Sequence, residues 1–390
     1  MKLNCAIIIY YYLRYRTVLS IPKRVKEKNE KRGVFLNKIK VAVIFGGASS
    51  EHDVSTVSAK GVISNIDREK YELYLLGITK EGEWYLYDGS EELLPEDKWL
   101  QSEKLKKAVI SPDPSVHGIV TEDGEVIKID VIFPVLHGKN GEDGTIQGLF
   151  QIAKIAFVGC DSTSSGVCMD KRITNAVADA YNIPQAKWCA INEFDYKASP
   201  NEFIEDAVEK LSLPIFVKPA NAGSSVGITK AKTVEELKDG IEKAFKEDKK
   251  IVLEEFIDGY EVECAVLGNE APITAEVGQI NSCKEFYDYE AKYINPASEL
   301  IIPANISEEK RNEVAQNAIK AYKAFGCEGL SRVDFFVTKK DGKVLFNEIN
   351  TLPGFTPISM YSKLFEAKGI GYGELVDNLI ELAISRGDNF

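Results

Sequence analysis

From Ile39 onward the chain alternates apolar runs with amphipathic stretches. IKVAVIF, starting at Ile39, reads as a buried strand; a glycine turn, GGASSEHDVS, follows, then a helical stretch to about Asn65. YELYLLGIT and GEWYLY read as further strands, and IDVIFPVLHG as another buried one. Continuous apolar strands alternating with helices predict a parallel, doubly wound sheet. Ligands bind such sheets at the carboxyl ends of strands, where both GGASSE and LHGKNGEDG fall. GGASSE does not match GxGxxG, so a dinucleotide fingerprint is absent.

Small and polar residues, FVGCDSTSS, interrupt the pattern near 158–165 and mark a first boundary. A helix opening with MDK follows, then a strand PIFVKPA, a loop AGSSVGI, a helix near 234–247 and a strand KIVLEEFI. The remainder predicts a strand ECAVLG, an acidic and aromatic loop EFYDYEAKY, a helix at 308–325, a hairpin at 331–349 and a helix near 371–386. The expected organisation is a basic extension over 1–38, a first domain over 39–160, a small central α+β domain over 161–250 and a larger α+β domain over 251–390.

The hairpin SRVDFFVTKKDGKVLFNEIN turns at Asp341-Gly342, a common hairpin signal. Alternation puts Arg332 with Asp334 on one face of its strand, and Glu348 with Asn350 on one face of the other. With Val337 opposite Val344, these pairs are expected side by side. Two carboxylates and an amide then suit Mg²⁺, which prefers oxygen and completes its shell with water and substrate phosphates; the alternative is a polar sheet rim. AGSSVGI, with glycines that let backbone N–H groups approach an anion, is a phosphate cradle or a plain turn. Lys218 and Lys171 are its candidate cations. Glu254 and Glu261 are candidate acceptors for an adenine amine or a ribose hydroxyl, or a solvated strand rim.

Composition removes several classes. The 390 residues are 44% hydrophobic and 28% charged, ordinary for a globular protein of two or three domains. Seven scattered cysteines without a CxxC argue against a disulfide framework or a structural zinc site and fit a reducing cytosol. Three histidines, His52, His117 and His137, leave no HExxH. The net charge of −12 is uneven: residues 1–40 hold eleven Lys/Arg and two Asp/Glu, so the rest carries −21. Such an acidic body is a poor nucleic-acid binder. The apolar run in the basic head is too short to span a bilayer. That head reads as a disordered extension, or as residues translated upstream of a start near Val34 or Leu36, with a membrane-surface role as the alternative.

MDK, FVKPANAGSSVGI, VLEEFIDGYEVE, SRVDFF and NEINTLPGF together resemble the ATP-grasp superfamily. IKVAVIFGGASSEHDVS, LHGKNGEDGTIQG, FVGCDSTSSGVCMDK, EFYDYEAKY and NEINTLPGFTPISM narrow the resemblance to the D-alanine–D-alanine ligase family, from about Ile39 to the C-terminus. It implies an ATP-grasp fold behind an N-terminal substrate domain, and ATP-dependent ligation of two D-alanines through an acyl phosphate for peptidoglycan precursors. It also implies ATP contacts at Lys171, Lys218, Ser224 and Ser225, at Glu254, Glu255, Ile257 and Glu261, and at Lys292. Asp334, Glu348 and Asn350 match ligands of two Mg²⁺ ions, for which Mn²⁺ can substitute. Arg332 and the N–H of Gly354 match the oxyanion donors. Glu51 and His137 match groups holding the first D-alanine, and Ser359 with Met360 the second. Ser165 and Tyr293 are assigned as Glu51's hydrogen-bonded partners, although Ser164 competes for Ser165's place. The family implies a cytoplasmic homodimer acting on D-alanine and ATP, with no nucleic-acid or membrane partner. Rival readings are a D-alanine–D-serine or D-alanine–D-lactate ligase, and an ATP-binding regulatory protein without chemistry.

Overall fold

The computed structural model describes residues 38–281 and 299–387. The extension expected at 1–38 therefore lies, apart from Lys38, outside the described residues.

The first sheet grows from β1 (Ile39–Gly46), whose last six residues are buried. Helix α1 (His52–Asn65) returns the chain to β2 (Tyr71–Ile78), and β3 (Trp84–Tyr87), β4 (Leu105–Ile110), β5 (Gly118–Thr121) and β6 (Val126–Lys128) follow. The wholly buried β7 (Val131–Leu136), helix α2 (Thr145–Ala153) and short β8 (Ala156–Phe157) complete it. The order is β6-β5-β4-β3-β2-β1-β7-β8. Only β2-β1-β7-β8 pair parallel; β2 through β6 form an antiparallel meander. The expectation of a parallel sheet therefore holds for the half that carries the glycine turns, and not for the other. The connections from β2 to β3, from β4 to β5 and from β5 to β6 are too short for a parallel crossover, which needs a dozen or more residues, so those strands return antiparallel.

Helices α3 (Ser162–Met169) and α4 (Lys171–Ala180) lead to a second sheet. Asp161 and Asp170 cap them, accepting from the N–H groups of Ser164 and of Arg172 and Ile173. That sheet contains β9 (Trp188–Asn192), β10 (Ile215–Pro219), β11 (Thr229–Ala231) and β12 (Lys250–Glu255), in the order β11-β10-β12-β9. Two helices pack on it, α6 (Pro200–Leu211), reached through the short α5 (Glu193–Ala198), and α7 (Val234–Glu247). The expected boundary at 250/251 falls one strand early, because β12 pairs with β10 and β9.

The third sheet is antiparallel and ordered β15-β14-β13-β16-β17. Its strands are β13 (Gly259–Leu267), β14 (Ile273–Asn281), β15 (Glu299–Ile301), β16 (Leu330–Thr338) and β17 (Val344–Asn350). Helix α8 (Glu308–Ala324) covers one face, packing on Val262, Cys264, Val333 and Phe335. Helix α9 (Met360–Ala367) covers part of the other, with Ala265 and Leu267. The final helix, α10 (Tyr372–Gly387), leaves this sheet and buries Leu375, Val376 and Leu379 in the core of the first.

Candidate active site

Face assignment in the third sheet decides the site. Val333, Phe335 and Val337 point to α8, so Arg332, Asp334 and Phe336 point away from it. Val337 does pair with Val344, as expected. Strict alternation from that pair would put Glu348 on the α8 side, away from Asp334. A bulge prevents this: Phe335 pairs with Phe346, yet Asp334 pairs with Glu348 and Arg332 with Asn350, which leaves Asn347 as the extra residue. The bulge turns Ile349 into the core and Glu348 and Asn350 out onto Asp334's face.

On that face Arg332 forks onto Asp334, with Nε 2.8 Å from Oδ1 and Nη2 2.6 Å from Oδ2. Glu263 Oε2 lies 3.0 Å from the same Nε. Burial opposes the guanidinium's charge, but Asp334 and Glu263 outweigh it and hold the proton more tightly than usual. Asn350 Nδ2 is 3.3 Å from Asp334 Oδ2. Asp334, Glu348 and Asn350 thus present hard oxygen donors beside further carboxylate charge, a set that fits a divalent cation. His52, Asp53 and Asp97 also gather three ligand atoms, but there the cation is already an ammonium. Lys80 Nζ stands 2.8 Å from Asp53 and 3.5 Å from Asp97.

Lys218 on β10 pairs with Glu254 on β12 at 2.6 Å, and its Nζ lies 3.4 Å from Asn347 Oδ1. Burial pulls the Lys218 ammonium down, while Glu254, Glu348 and Glu261 together raise it above its ordinary value. Asn175 donates to the other oxygen of Glu254 at 3.1 Å. Glu255 is held by the Lys187 N–H at 2.8 Å. Lys171, at the start of α4, donates to the Ala222 carbonyl at 2.7 Å and ties down the glycine–serine loop. In that loop Ser224, Ser225 and Gly227 all have positive φ, and the N–H groups of Val226 and Ile228 bond within the loop, to the Gly223 and Ser225 carbonyls.

At the ends of β1 and β7, Ser49 joins the two turns, donating to the His137 carbonyl at 2.8 Å and accepting from Glu51 N at 3.1 Å. The His137 ring reaches the Leu352 carbonyl and Ser58 Oγ, each at 3.2 Å, and Glu142 at 3.5 Å. Burial alone would lower the imidazole; Glu142 and Glu51 outweigh it and raise its pKa. Glu51 is buried and accepts a hydrogen bond from Ser224 Oγ. Among the described residues the hydroxyl that meets Glu51 is thus that of Ser224, whereas the sequence reading assigned Ser165 and Tyr293. Among the described residues Ser165 Oγ is buried without a hydrogen-bond partner, and Ser164 Oγ donates to the Gly326 carbonyl at 2.6 Å. The loop bends across to Glu51, whereas α3 keeps Ser165 on its own buried side. Lys292 and Tyr293 lie outside the described residues.

Ser359 precedes α9, and its Oγ accepts from Thr356 N at 3.0 Å. A Cβ at Gly354 would stand 2.9 Å from that oxygen, so a side chain there would push the Ser359 hydroxyl aside.

Most of these residues line two cavities, although Asp334 and Ser165 line neither. The smaller, about 140 Å³, has Glu51, His137, Lys171, Arg332, Gly354 and Ser359 in its wall, with Met360 beside them. The larger, about 520 Å³, is lined by Phe216, Lys218, Glu254, Glu255, Ile257 and Glu261. Ser225, Asn347 and Glu348 line both. Sequence reasoning missed Asn347, Glu142, Ser49 and Glu263. Glu142 lay within the quoted LHGKNGEDG, five residues past His137; Asn347 lay within NEIN.

A family model described as D-ala D-ala ligase N-terminus matches residues 40–160, and one described as D-ala D-ala ligase C-terminus matches 177–381. The D-alanine–D-alanine ligase of Caldicellulosiruptor bescii is 50% identical over 354 residues, covering 90% of this chain and 96% of that protein. The crystal structure of the VanG D-Ala:D-Ser ligase from Enterococcus faecalis is similar with a TM-score of 0.83 and 41% identity, covering 89% of this chain and 100% of that one. The D-alanine–D-alanine ligase structure from Coxiella burnetii gives a TM-score of 0.79 and 34% identity, covering 90% and 97%.

Proposed function

The chain belongs to the D-alanine–D-alanine ligase family, and we propose that it joins two D-alanines into D-alanyl-D-alanine, converting ATP to ADP and phosphate for peptidoglycan precursor synthesis. The observation that carries this reading is the junction of the two cavities at Asn347 and Glu348. It is where a nucleotide in the larger cavity and an amino acid in the smaller one can exchange a phosphoryl group.

The larger cavity takes the nucleotide, with Glu254, Glu255 and Ile257 toward the base and Glu261 toward the ribose. Lys218, Lys171 and the loop bearing Ser224 and Ser225 take the phosphates. Glu51, with His137 behind it, takes the ammonium of the first D-alanine. The carboxylate of that amino acid attacks the γ-phosphorus, ADP departs, and an acyl phosphate remains. Ser359 holds the carboxylate of the second D-alanine beside Met360, and its amine attacks the acyl carbon, loses a proton and expels phosphate. Arg332 and the Gly354 N–H donate to the oxygen that becomes negative, a role often worth about 3 kcal/mol per donor. Asp334, Glu348 and Asn350 would hold two Mg²⁺ ions, or Mn²⁺ in their place. Bound there, the metal neutralises charge on the transferred phosphoryl group.

A cytoplasmic homodimer belongs to the same proposal; no helix among the described residues is long and apolar enough to cross a membrane. Ligation of D-alanine to D-serine is the second reading, favoured by the similarity to the VanG enzyme. Mass analysis of products from ATP, Mg²⁺ and equal D-alanine, D-serine and D-lactate separates them. D-alanyl-D-alanine is expected to dominate. Dominant D-alanyl-D-serine would replace the first reading by the second, and ADP release indifferent to D-alanine would reject both.

A further inference from the structure

Glu263 closes the motif VLEEFIDGYEVE without a role of its own there, yet it stands inside the site. It lies on β13, only 3% exposed, directly across from Asp334 on β16. Asp334 lies in turn directly across from Glu348 on β17. Three adjacent strands thus place three carboxylates in one row on one face. Directly opposed side chains on neighbouring strands lie about 5 Å apart at Cβ, and like charges there repel. Such a row persists only with cations set against it. Arg332, one pleat along β16, is a cation shared by two members of the row.

The sharing is uneven. The Nε–H of Arg332 donates to Asp334 Oδ1 at 2.8 Å, and Nη2 donates to Oδ2 at 2.6 Å, so the fork engages both oxygens of Asp334. Glu263 Oε2 waits 3.0 Å from the same Nε. An oxygen given by Asp334 to a divalent cation is partly withdrawn from the fork, because both compete for the same lone pairs. Arg332 would then lose the partner that sets its direction at the step where direction matters most.

We propose that Glu263 is a positioning residue that keeps Arg332 aimed into the smaller cavity when Asp334 turns to the metal. The role rests on the metal and oxyanion assignments of the proposed function. Transfer needs only a re-aimed Nε–H, because the receiving oxygen is already at contact distance. Glu263 acts through Arg332 and holds neither substrate nor metal itself.

The test uses the full-length chain and three measurements: steady-state kinetics with D-alanine and MgATP, Mn²⁺ affinity of the ADP complex by electron paramagnetic resonance, and thermal melting. Glu263→Gln keeps the shape and removes the charge. It is expected to lower kcat by about 10- to 100-fold, as loss of an outer-shell partner commonly does, while KM for D-alanine and Mn²⁺ affinity stay at the wild-type values. Glu263→Asp keeps the charge one methylene back and is expected to lose less kcat; it serves if the glutamine variant melts early. In an Arg332→Lys background Glu263→Gln is expected to add little, because two residues acting through one group are not additive. Unchanged kcat in Glu263→Gln overturns the role. So does Mn²⁺ affinity that falls in step with kcat, which would make Glu263 a metal ligand, or a full second loss in the Arg332→Lys background. A wild type that forms no dipeptide overturns the function and this role together, whereas an active wild type beside an equally active Glu263→Gln overturns the role alone.

Discussion

The first and third sheets solve the same problem in opposite ways. In the first, β1 and β7 are apolar along their buried lengths, and every candidate chemical group waits in the turn that follows: Ser49 and Glu51 after β1, His137 and Glu142 after β7. In the third, charge sits in mid-strand, with Glu263 and Asp334 buried and Arg332 partly buried between them. Chemistry at strand ends leaves the core free of polar cost. Chemistry within a strand ties function to register, since one residue of slip carries every side chain to the other face. It also makes charged residues depend on one another, because removing one partner leaves the other buried and uncompensated.

The largest test of this contrast exchanges the two designs. Val43, fully buried in β1, has no partner for a charge; Val43→Asp is expected to cost about 4 kcal/mol or more and to abolish cooperative melting. Asp334→Asn at an equally buried site is expected to leave the melt nearly intact, since Glu263 still faces Arg332. Its turnover should fall by on the order of a thousandfold, as losses of charge-stabilising groups at reacting centres do. Calorimetric melts and an ADP-release assay read both outcomes.

Next in size are changes to the bulge. An alanine inserted after Asn347 would turn Glu348 and Asn350 toward α8 and is expected to abolish ADP release. Deleting Asn347 removes the bulge but restores alternation with Glu348 still opposite Asp334, so measurable turnover is expected. The reverse ranking would show that the bulge does not set the faces.

The smallest effect concerns the strand-end design. His137 is raised by Glu142, so the native protein binds its proton more tightly than the unfolded chain. The stabilisation is therefore complete below the unfolded pKa of about 6.5 and is lost as pH rises through the higher folded value. His137→Gln should lose less stability than the wild type between pH 6 and 8. The expected difference is about 1.4 kcal/mol per pH unit of elevation, read from urea melts at the two pH values.

Much of the site was legible because its motifs carry their own chemistry. The lysines 171 and 218, Glu348, and Gly354 with Ser359 all line the two cavities. What escaped was long-range. The sequence of β17 does hold a sign of the bulge, since buried Val344, Phe346 and Ile349 are spaced by two and then by three, but strict alternation was assumed across it. The hydroxyl that meets Glu51 could not be chosen between α3 and the glycine loop, because only the packing of the second sheet brings Ser224 across. The same limit hid the pairing of β12 with β9 and the return of α10 to the first sheet, since both rest on contacts between distant segments. Glu263 looked like an ordinary strand residue, because its neighbour on β16 could not be known before the register.

The central claim is that a phosphoryl group passes from one cavity to the other at Glu348. D-Alanine labelled with ¹⁸O in its carboxylate tests it directly. Attack on the γ-phosphorus through that carboxylate, followed by expulsion of phosphate, must carry one labelled oxygen into each phosphate released with the dipeptide. Phosphate bearing one ¹⁸O per turnover is the predicted result; unlabelled phosphate beside newly formed dipeptide would contradict the account.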